Sequence, residues 1–163
     1  MLLERVDVNP DQAEIDYGRT PLYWAAEEGN EGIVKMLLER EGVNPNQADT
    51  HCGRTPISLA AERGHEGIVR MLLERADVNP NQAVTFYGQT ALSWAAGNGH
   101  AEVVKTLLER ADVNPNQVDT YYGQTALSLA ARSGHERVVK ILLERKDVNP
   151  GQVDTRYSRT PTQ

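Results

Sequence analysis

Cysteine, long apolar runs and positive charge are all scarce in this chain of 163 residues. Cys52 is its one cysteine, so no internal disulfide can form, and a reducing compartment is favoured. No apolar stretch approaches the roughly 20 residues that a membrane helix needs. The net charge of −6 disfavours nucleic acid as a partner, because phosphate binding requires a basic surface. We therefore expect a cytoplasmic protein that binds neither membranes nor nucleic acid.

A strong internal repeat is what the sequence does have. The motif Gly-Arg/Gln-Thr-Pro/Ala-Leu/Ile begins at Gly18, Gly53, Gly88 and Gly123, a step of 35 residues. An Ala-Ala pair and a Leu-Leu pair follow in every copy at the same distance. A period within roughly 20–50 residues is typical of a solenoid, in which each unit buries its apolar face by stacking on its neighbours. This pattern favours an extended binding surface over a closed globule with a catalytic cleft.

The second copy shows how each unit is built. Thr55 and Pro56 form a helix start, because the Thr hydroxyl can cap an N–H group and Pro has no N–H to satisfy. Gly64 ends this helix, and an apolar stripe including Leu72 indicates a second one. Pro80 lies beyond the end of the second helix, and a polar finger follows it. The sequence predicts an all-α solenoid of helix-turn-helix units with extended fingers and helix pairs near residues 20–40, 55–75, 90–110 and 125–145.

The repeat also divides the chain into units of one array that spans residues 1–163. We expect a partial repeat over residues 1–15, four full repeats, and the start of a truncated repeat over residues 156–163. The full repeats are residues 16–50, 51–85, 86–120 and 121–155. Because the chain opens inside a second helix and closes at the start of a first helix, we expect it to be a fragment of a longer array.

These motifs resemble the ankyrin repeat. The succession of Thr-Pro-Leu, Ala-Ala, Gly-His, Val-Val, Leu-Leu and Asp-Val-Asn follows the family pattern over essentially the whole chain. The usual period is about 33 residues, two fewer than here. The usual His after Thr-Pro-Leu is replaced by Tyr23, Ser58, Ser93 or Ser128, so its hydrogen bond between units must be replaced or lost. The resemblance implies a non-enzymatic module that binds proteins.

Two short motifs within the repeats resemble one subgroup of ankyrin-repeat proteins. Ser-Trp-Ala-Ala and Asn-Pro-Asn, in nearly identical copies, resemble the ankyrin arrays of fungal NACHT-type, NLR-like receptors. A consensus design is the alternative origin. Irregular substitutions such as Cys52, Gly97 and Thr106 favour a natural fragment.

The histidines are the first residues to weigh for chemistry. His65, His100 and His135 recur one unit apart without Cys or carboxylate neighbours at metal-ligand spacing, so we assign them to the turn between helices. His51 precedes Cys52, but a catalytic pair would need a pocket and an orienting third residue. We predict no catalytic, cofactor or metal site.

Two further patterns have structural interpretations. Trp24 and Trp94 alternate with leucines on a helical stripe, and we expect them to fill the core between units, with contact to a ligand as the alternative. The Glu-Arg pair after each Leu-Leu pair, as at Glu74-Arg75, predicts a solvated helix end.

The finger positions differ from the rest because they vary within a uniform repeat. One column holds Asp16, His51, Phe86, Tyr121 and Arg156, and its neighbours are mostly tyrosine. In the ankyrin family the fingers and the first-helix ends line the concave groove. We predict a partner-binding surface with Phe86 and Tyr121 as its strongest contributors. Its predicted members are Asp16, Arg19, Glu27, Glu28, His51, Arg54, Arg63, Phe86, Gln89, Asn98, Tyr121, Gln124 and Arg132.

Charge also varies along the array. Residues 1–50 hold eleven acidic and four basic side chains, whereas residues 121–163 hold four acidic and seven basic ones. Ends of opposite charge favour head-to-tail contact, which produces open chains of molecules. The alternative function is therefore a structural array that stacks on itself, weakly in solution.

Overall fold

The computed structural model describes residues 8–152, which contain eight α-helices that follow one another as four pairs along the sequence. The helices are α1 (Pro21–Glu27), α2 (Glu31–Leu38), α3 (Pro56–Arg63), α4 (Glu66–Leu73), α5 (Ala91–Gly97), α6 (Ala101–Glu109), α7 (Ala126–Arg132) and α8 (Glu136–Glu144). No strand occurs among these residues. The predicted all-α solenoid and its four helix pairs are confirmed. Residues 1–7 and 153–163, with the predicted truncated repeat, lie outside the described part.

Each first helix begins at a threonine cap. In the second unit Thr55 accepts a hydrogen bond from the Ser58 backbone N–H at 3.3 Å, and the Ser58 hydroxyl accepts one from the Thr55 N–H at 2.9 Å. This reciprocal pair satisfies two N–H groups that the start of a helix would otherwise leave unpaired. Ser58, in place of the usual histidine, therefore bonds within its own unit.

The turn between the helices depends on glycine. Gly64 closes α3 at a φ of 78°, in the left-handed region where a side chain is strained. The next residue, His65, caps α4 without a side-chain hydrogen bond to it. The prediction that His65 occupies this turn is confirmed.

Helices in equivalent positions of successive units pack on one another and form one continuous core. First helices pack on first helices (α1, α3, α5 and α7), and second helices on second helices. Ala26, Ala60 and Ala61 are fully buried, since small side chains allow the first helices to approach closely. The prediction that Trp24 fills the core between units is wrong. Trp24 is 40% exposed, whereas Leu59, one unit later in the same column, is completely buried.

Asparagine side chains join the loops of successive units. Asn81 donates from Nδ2 to the Asp112 carbonyl at 2.7 Å and accepts from the Asn114 N–H at 2.8 Å. Asn46 and Asn116 make the same pair of bonds one unit earlier and one unit later. The Asn-Pro-Asn motif therefore couples each unit to the next.

Arginines at the second-helix ends join the units as well. Arg110 donates to the carbonyls of Leu73, Arg75 and Val78 in the preceding unit, at 3.2–3.3 Å. Arg145 repeats this arrangement on the carbonyl of Leu108 at 3.0 Å. The expectation of a purely solvated helix end is wrong for these arginines, because the preceding unit supplies the acceptors.

Candidate protein-binding surface

The finger side chains form rows of aromatic rings that run across units. The Tyr17 ring contacts His51 with 5.9 Å between centroids, and His51 contacts Phe86 at 6.0 Å. A second row joins Tyr87 to Tyr121 at 6.3 Å. All contacts are edge-to-face, an arrangement that aromatic quadrupoles favour. Phe86 nevertheless remains 58% exposed, so the rows leave apolar area in contact with solvent.

Arg19 connects the first finger to the first helix. Its guanidinium carbon lies 4.6 Å from the Tyr17 ring centroid and 4.9 Å from that of Trp24. Cation–π contacts of this kind contribute on the order of 0.5–1 kcal/mol at exposed sites. Finger and helix thus present one joined surface in the first unit, and Trp24 belongs to it.

First-helix ends are joined between units on the same side of the stack. Arg63 forms an ion pair with Glu27 of the preceding unit at 3.0 Å. Asn98 donates from Nδ2 to the Glu62 carbonyl, also of the preceding unit, at 3.1 Å. Arg54 then links a finger to a helix end, since its Nη1 lies 3.5 Å from a Glu62 carboxylate oxygen. These contacts therefore join several of the variable residues of the first three units.

A buried carboxylate shapes the second finger. Asp49 accepts hydrogen bonds from the backbone N–H groups of His51, Cys52 and Arg54, at 2.9, 2.6 and 3.1 Å. Burial raises the pKa of Asp49. The hydrogen bonds from these N–H groups and the Arg54 charge lower it by more, so the net pKa lies below its ordinary value of 3.8. Asp119 holds the fourth finger in the same way through the Tyr121 and Tyr122 N–H groups.

The third finger lacks this carboxylate. Val84 occupies the position of Asp49 and Asp119, and it is buried. Within residues 8–152 no side chain accepts a hydrogen bond from the Phe86 or Tyr87 N–H group. The finger with the most exposed aromatic ring is thus held by fewer hydrogen bonds than its neighbours.

Tyr23 lies buried beneath this surface in the first unit. Its ring is 1% exposed, and burial raises its pKa to about 12, although the charge of Arg54 opposes the shift. Its hydroxyl has no hydrogen-bond partner in the described part of the chain. Where later units carry a serine that bonds to the helix cap, the first unit carries a buried phenol.

Placement of the thirteen predicted surface residues is uneven. Contacts within the fingers and helix ends place eight of them in several separate clusters: Arg19, Glu27, His51, Arg54, Arg63, Phe86, Asn98 and Tyr121. Asp16, Glu28 and Arg132 are exposed and lie outside these clusters. Gln89 is partly buried. Gln124 departs most from expectation, because its side chain is only 7% exposed. Arg156, from the same finger column, lies outside the described residues.

The predicted set leaves out four residues that share this surface or its contacts. They are Trp24, Glu62, Tyr87 and Tyr122. Three are aromatic, and an aromatic side chain in a repeat signals packing as readily as exposure. The alternation of Trp and Leu in the Trp24 column is the available signal, although a position on a helical stripe favours the core.

Groups considered for chemistry have structural partners. The His51 ring lies between Tyr17 and Phe86. His65, His100 and His135 each place Nε2 against a carbonyl of the preceding unit, at 2.9–3.1 Å. Among residues 8–152 no cluster of three or more His, Cys, Asp or Glu side chains could hold a metal ion. None of the helices described there has the length and apolar character needed to cross a membrane.

Comparison with known proteins agrees with this architecture. The family model described as Ankyrin repeats matches the chain in three overlapping stretches, residues 1–82, 41–119 and 75–154. No curated protein matches the chain. Proteins built from these repeats are generally protein–protein interaction modules. The helix pairs, the stacked units and the match over nearly the whole chain agree, and the chain belongs to the ankyrin-repeat family.

Proposed function

We propose that the surface formed by the fingers and the first-helix ends binds a protein partner without catalysing a reaction. The aromatic rows carry this proposal, because they keep rings such as Phe86 and Tyr87 more than half exposed on a stacked scaffold. Exposed aromatic side chains in patches are typical of protein-binding sites, and they often dominate the binding energy. A scaffold held by repeated bonds between units loses little conformational entropy on binding.

The test is a quantitative comparison of binding. Cross-linking identifies the partner, and its affinity is then measured for the wild type and for Phe86→Ala and Tyr121→Ala. We expect each change to cost more than about 1 kcal/mol, or roughly fivefold in Kd. Lys105→Ala, exposed on α6, is the control and should leave Kd unchanged. Unchanged affinity for both aromatic variants would remove the finger surface from the proposal.

The biological setting is part of the same proposal. We place the module in the cytoplasm, as part of a longer array in a receptor-like protein. The support is the near-identity of its units and their repeated Asn, Arg and His contacts, which allow units to be added without new interfaces. Sequencing the full transcript and locating the tagged protein by fractionation test both points.

Self-stacking is the second candidate, and one observation favours it. Leu143 on α8 is 51% exposed, whereas Leu73 and Leu108 in the same column are partly buried against the core. A second copy, with its acidic first unit, would cover Leu143 next to basic residues of the fourth unit. Light scattering across concentration at low salt should then show mass increasing, and Leu143→Glu should prevent it. A constant monomer mass would exclude this candidate and leave the binding module unaffected.

A further inference from the structure

We infer that the partner segment that lies on this surface is an extended stretch in which basic residues stand five or six positions from an aromatic or large aliphatic residue. This inference rests on the proposed protein-binding function and gives the partner its chemistry. It follows from how charge and aromatic area are divided between the two halves of the surface.

The first two units carry an excess of negative charge on this surface. Their basic side chains are already occupied by three ion pairs: Arg19–Glu14 at 3.6 Å, Arg54–Glu62 at 3.5 Å and Arg63–Glu27 at 3.0 Å. Asp16 and Glu28 are left exposed, and neither forms an ion pair within the described part of the chain. The arginines therefore cannot attract an acidic partner without breaking a pair, whereas two carboxylates remain available to a basic one.

The position of Glu28 strengthens the preference for a cation. Glu28 caps the C-terminal end of α1, where the helix dipole places partial negative charge. A carboxylate at this end is disfavoured, and a positive charge from a partner would relieve the repulsion. Arg63 already does this for neighbouring Glu27, at 3.0 Å.

The third and fourth units present aromatic area instead of charge. Phe86, Tyr87, Tyr121 and Tyr122 are all exposed, with Phe86 the most exposed of them. Nearby variable positions carry the neutral residues Gln89 and Asn98, so this half suits an apolar side chain. Arg132 is exposed in the last turn of α7 and would repel a basic segment. Basic residues of the partner are thus directed to the first two units and its apolar anchor to the third finger.

The spacing follows from the geometry of stacked helices. Neighbouring first helices pack about 8–10 Å apart, so the first and third units stand about two such steps, roughly 16–20 Å, apart along the stack. An extended peptide advances about 3.3 Å per residue. Five or six residues therefore separate the partner's basic group from its apolar anchor.

A random 12-residue peptide library displayed on phage, selected against the full chain, tests this pattern. We expect Lys or Arg to be enriched five or six positions from Trp, Tyr, Phe, Leu or Met. A synthetic copy of a selected peptide should bind at least tenfold more weakly to the double variant Asp16→Lys, Glu28→Lys. The double variant Glu41→Lys, Glu144→Lys makes the same change in net charge at exposed positions away from the surface, and it should bind like the wild type. Binding to the wild type should also weaken as salt increases.

Each other outcome overturns the inference. Selected peptides without basic residues, or equal loss in both double variants, would show that Asp16 and Glu28 do not recognise the partner. Enrichment of no sequence would show that the partner is not a linear segment. Neither result touches the proposed function, which the Phe86→Ala and Tyr121→Ala affinities test separately on an intact partner protein.

Discussion

The Nε2 atom of His100 lies 2.9 Å from the carbonyl oxygen of Glu62, in the unit before it. Since the acceptor is a carbonyl, Nε2 must carry the hydrogen. His135 makes the same bond to Gly97 at 3.0 Å. Because the acceptor belongs to the backbone, the residue at this position can vary from Glu62 to Gly97 without loss of the bond. Variation at the first-helix ends and uniformity of the histidines therefore have one cause.

Glycines at the turn between helices should differ in their tolerance of a side chain. Gly64 and Gly134 share a left-handed φ, 78° and 76°. An added Cβ at Gly134 would have no other atom within 4 Å. Gly134→Ala should therefore lower the free energy of unfolding by about 1 kcal/mol through backbone strain alone. At Gly64 the new Cβ would lie 2.7 Å from His100 Nδ1. Gly64→Ala should therefore lower the midpoint of urea unfolding more than Gly134→Ala does. Equal midpoints for the two variants would contradict the close contact with His100.

The asparagine contacts should contribute measurably to stability. Asn81→Ala removes two hydrogen bonds to the next unit and should lower the free energy of unfolding by about 1–2 kcal/mol. Gln47→Ala removes an exposed amide that bonds only within its own loop and should change stability by less than about 0.5 kcal/mol. Urea unfolding monitored by circular dichroism compares them. A loss from Asn81→Ala no larger than the control's would show that the loop bonds do not couple the units.

The third finger should exchange its amide hydrogens faster than its neighbours do. Phe86 and Tyr87 lack the carboxylate that accepts from His51 and Cys52 in the second finger. Val84→Asp should supply this acceptor and slow exchange at both amides, as measured by NMR. Val84→Ala is the control, because it removes apolar volume without adding an acceptor. Similar exchange in Val84→Asp and the wild type would contradict the assigned role of the carboxylate.

Acid should weaken the second finger through Asp49. Its folded pKa lies below 3.8, because backbone N–H groups and Arg54 outweigh the opposing effect of burial. The stabilisation is therefore present above the ordinary pKa of an aspartate and is lost as the pH falls through the lower folded pKa. Asp49→Asn should lose less stability than the wild type as the pH falls below about 4, measured by thermal unfolding. Parallel stability curves for the two proteins would exclude this contribution.

Alkaline conditions should expose the buried phenol of the first unit. Burial raises the pKa of Tyr23 to about 12 from its ordinary value of 10. The associated stabilisation is present below pH 10 and is lost as the pH rises towards 12. Ultraviolet titration of tyrosinate should show a late step that is absent in Tyr23→Phe. A late step that persists in this variant would assign it to another tyrosine.

Much of this fold could be predicted from the sequence because its signals are local. Thr55 and Pro56 start a helix and Gly64 ends it through contacts within a few residues, and the 35-residue period shows that such units recur. Helices of seven to nine residues are marginal alone, so the period also implied stacking. The variable columns likewise pointed to the fingers and helix ends, which required only comparison of one copy with the next.

Tertiary structure decided which partner each repeated side chain meets. Arg110 and Asn81 bond to backbone carbonyls about one unit away, and a sequence does not show where carbonyl oxygens point. The same ambiguity affects burial, since Trp24 is partly exposed while Gln124 is buried, although residue type suggests the reverse. Local hydrogen bonds and apolar spacing therefore determined the units from sequence alone. Only their packing determined which side chains couple the units and which remain exposed to solvent.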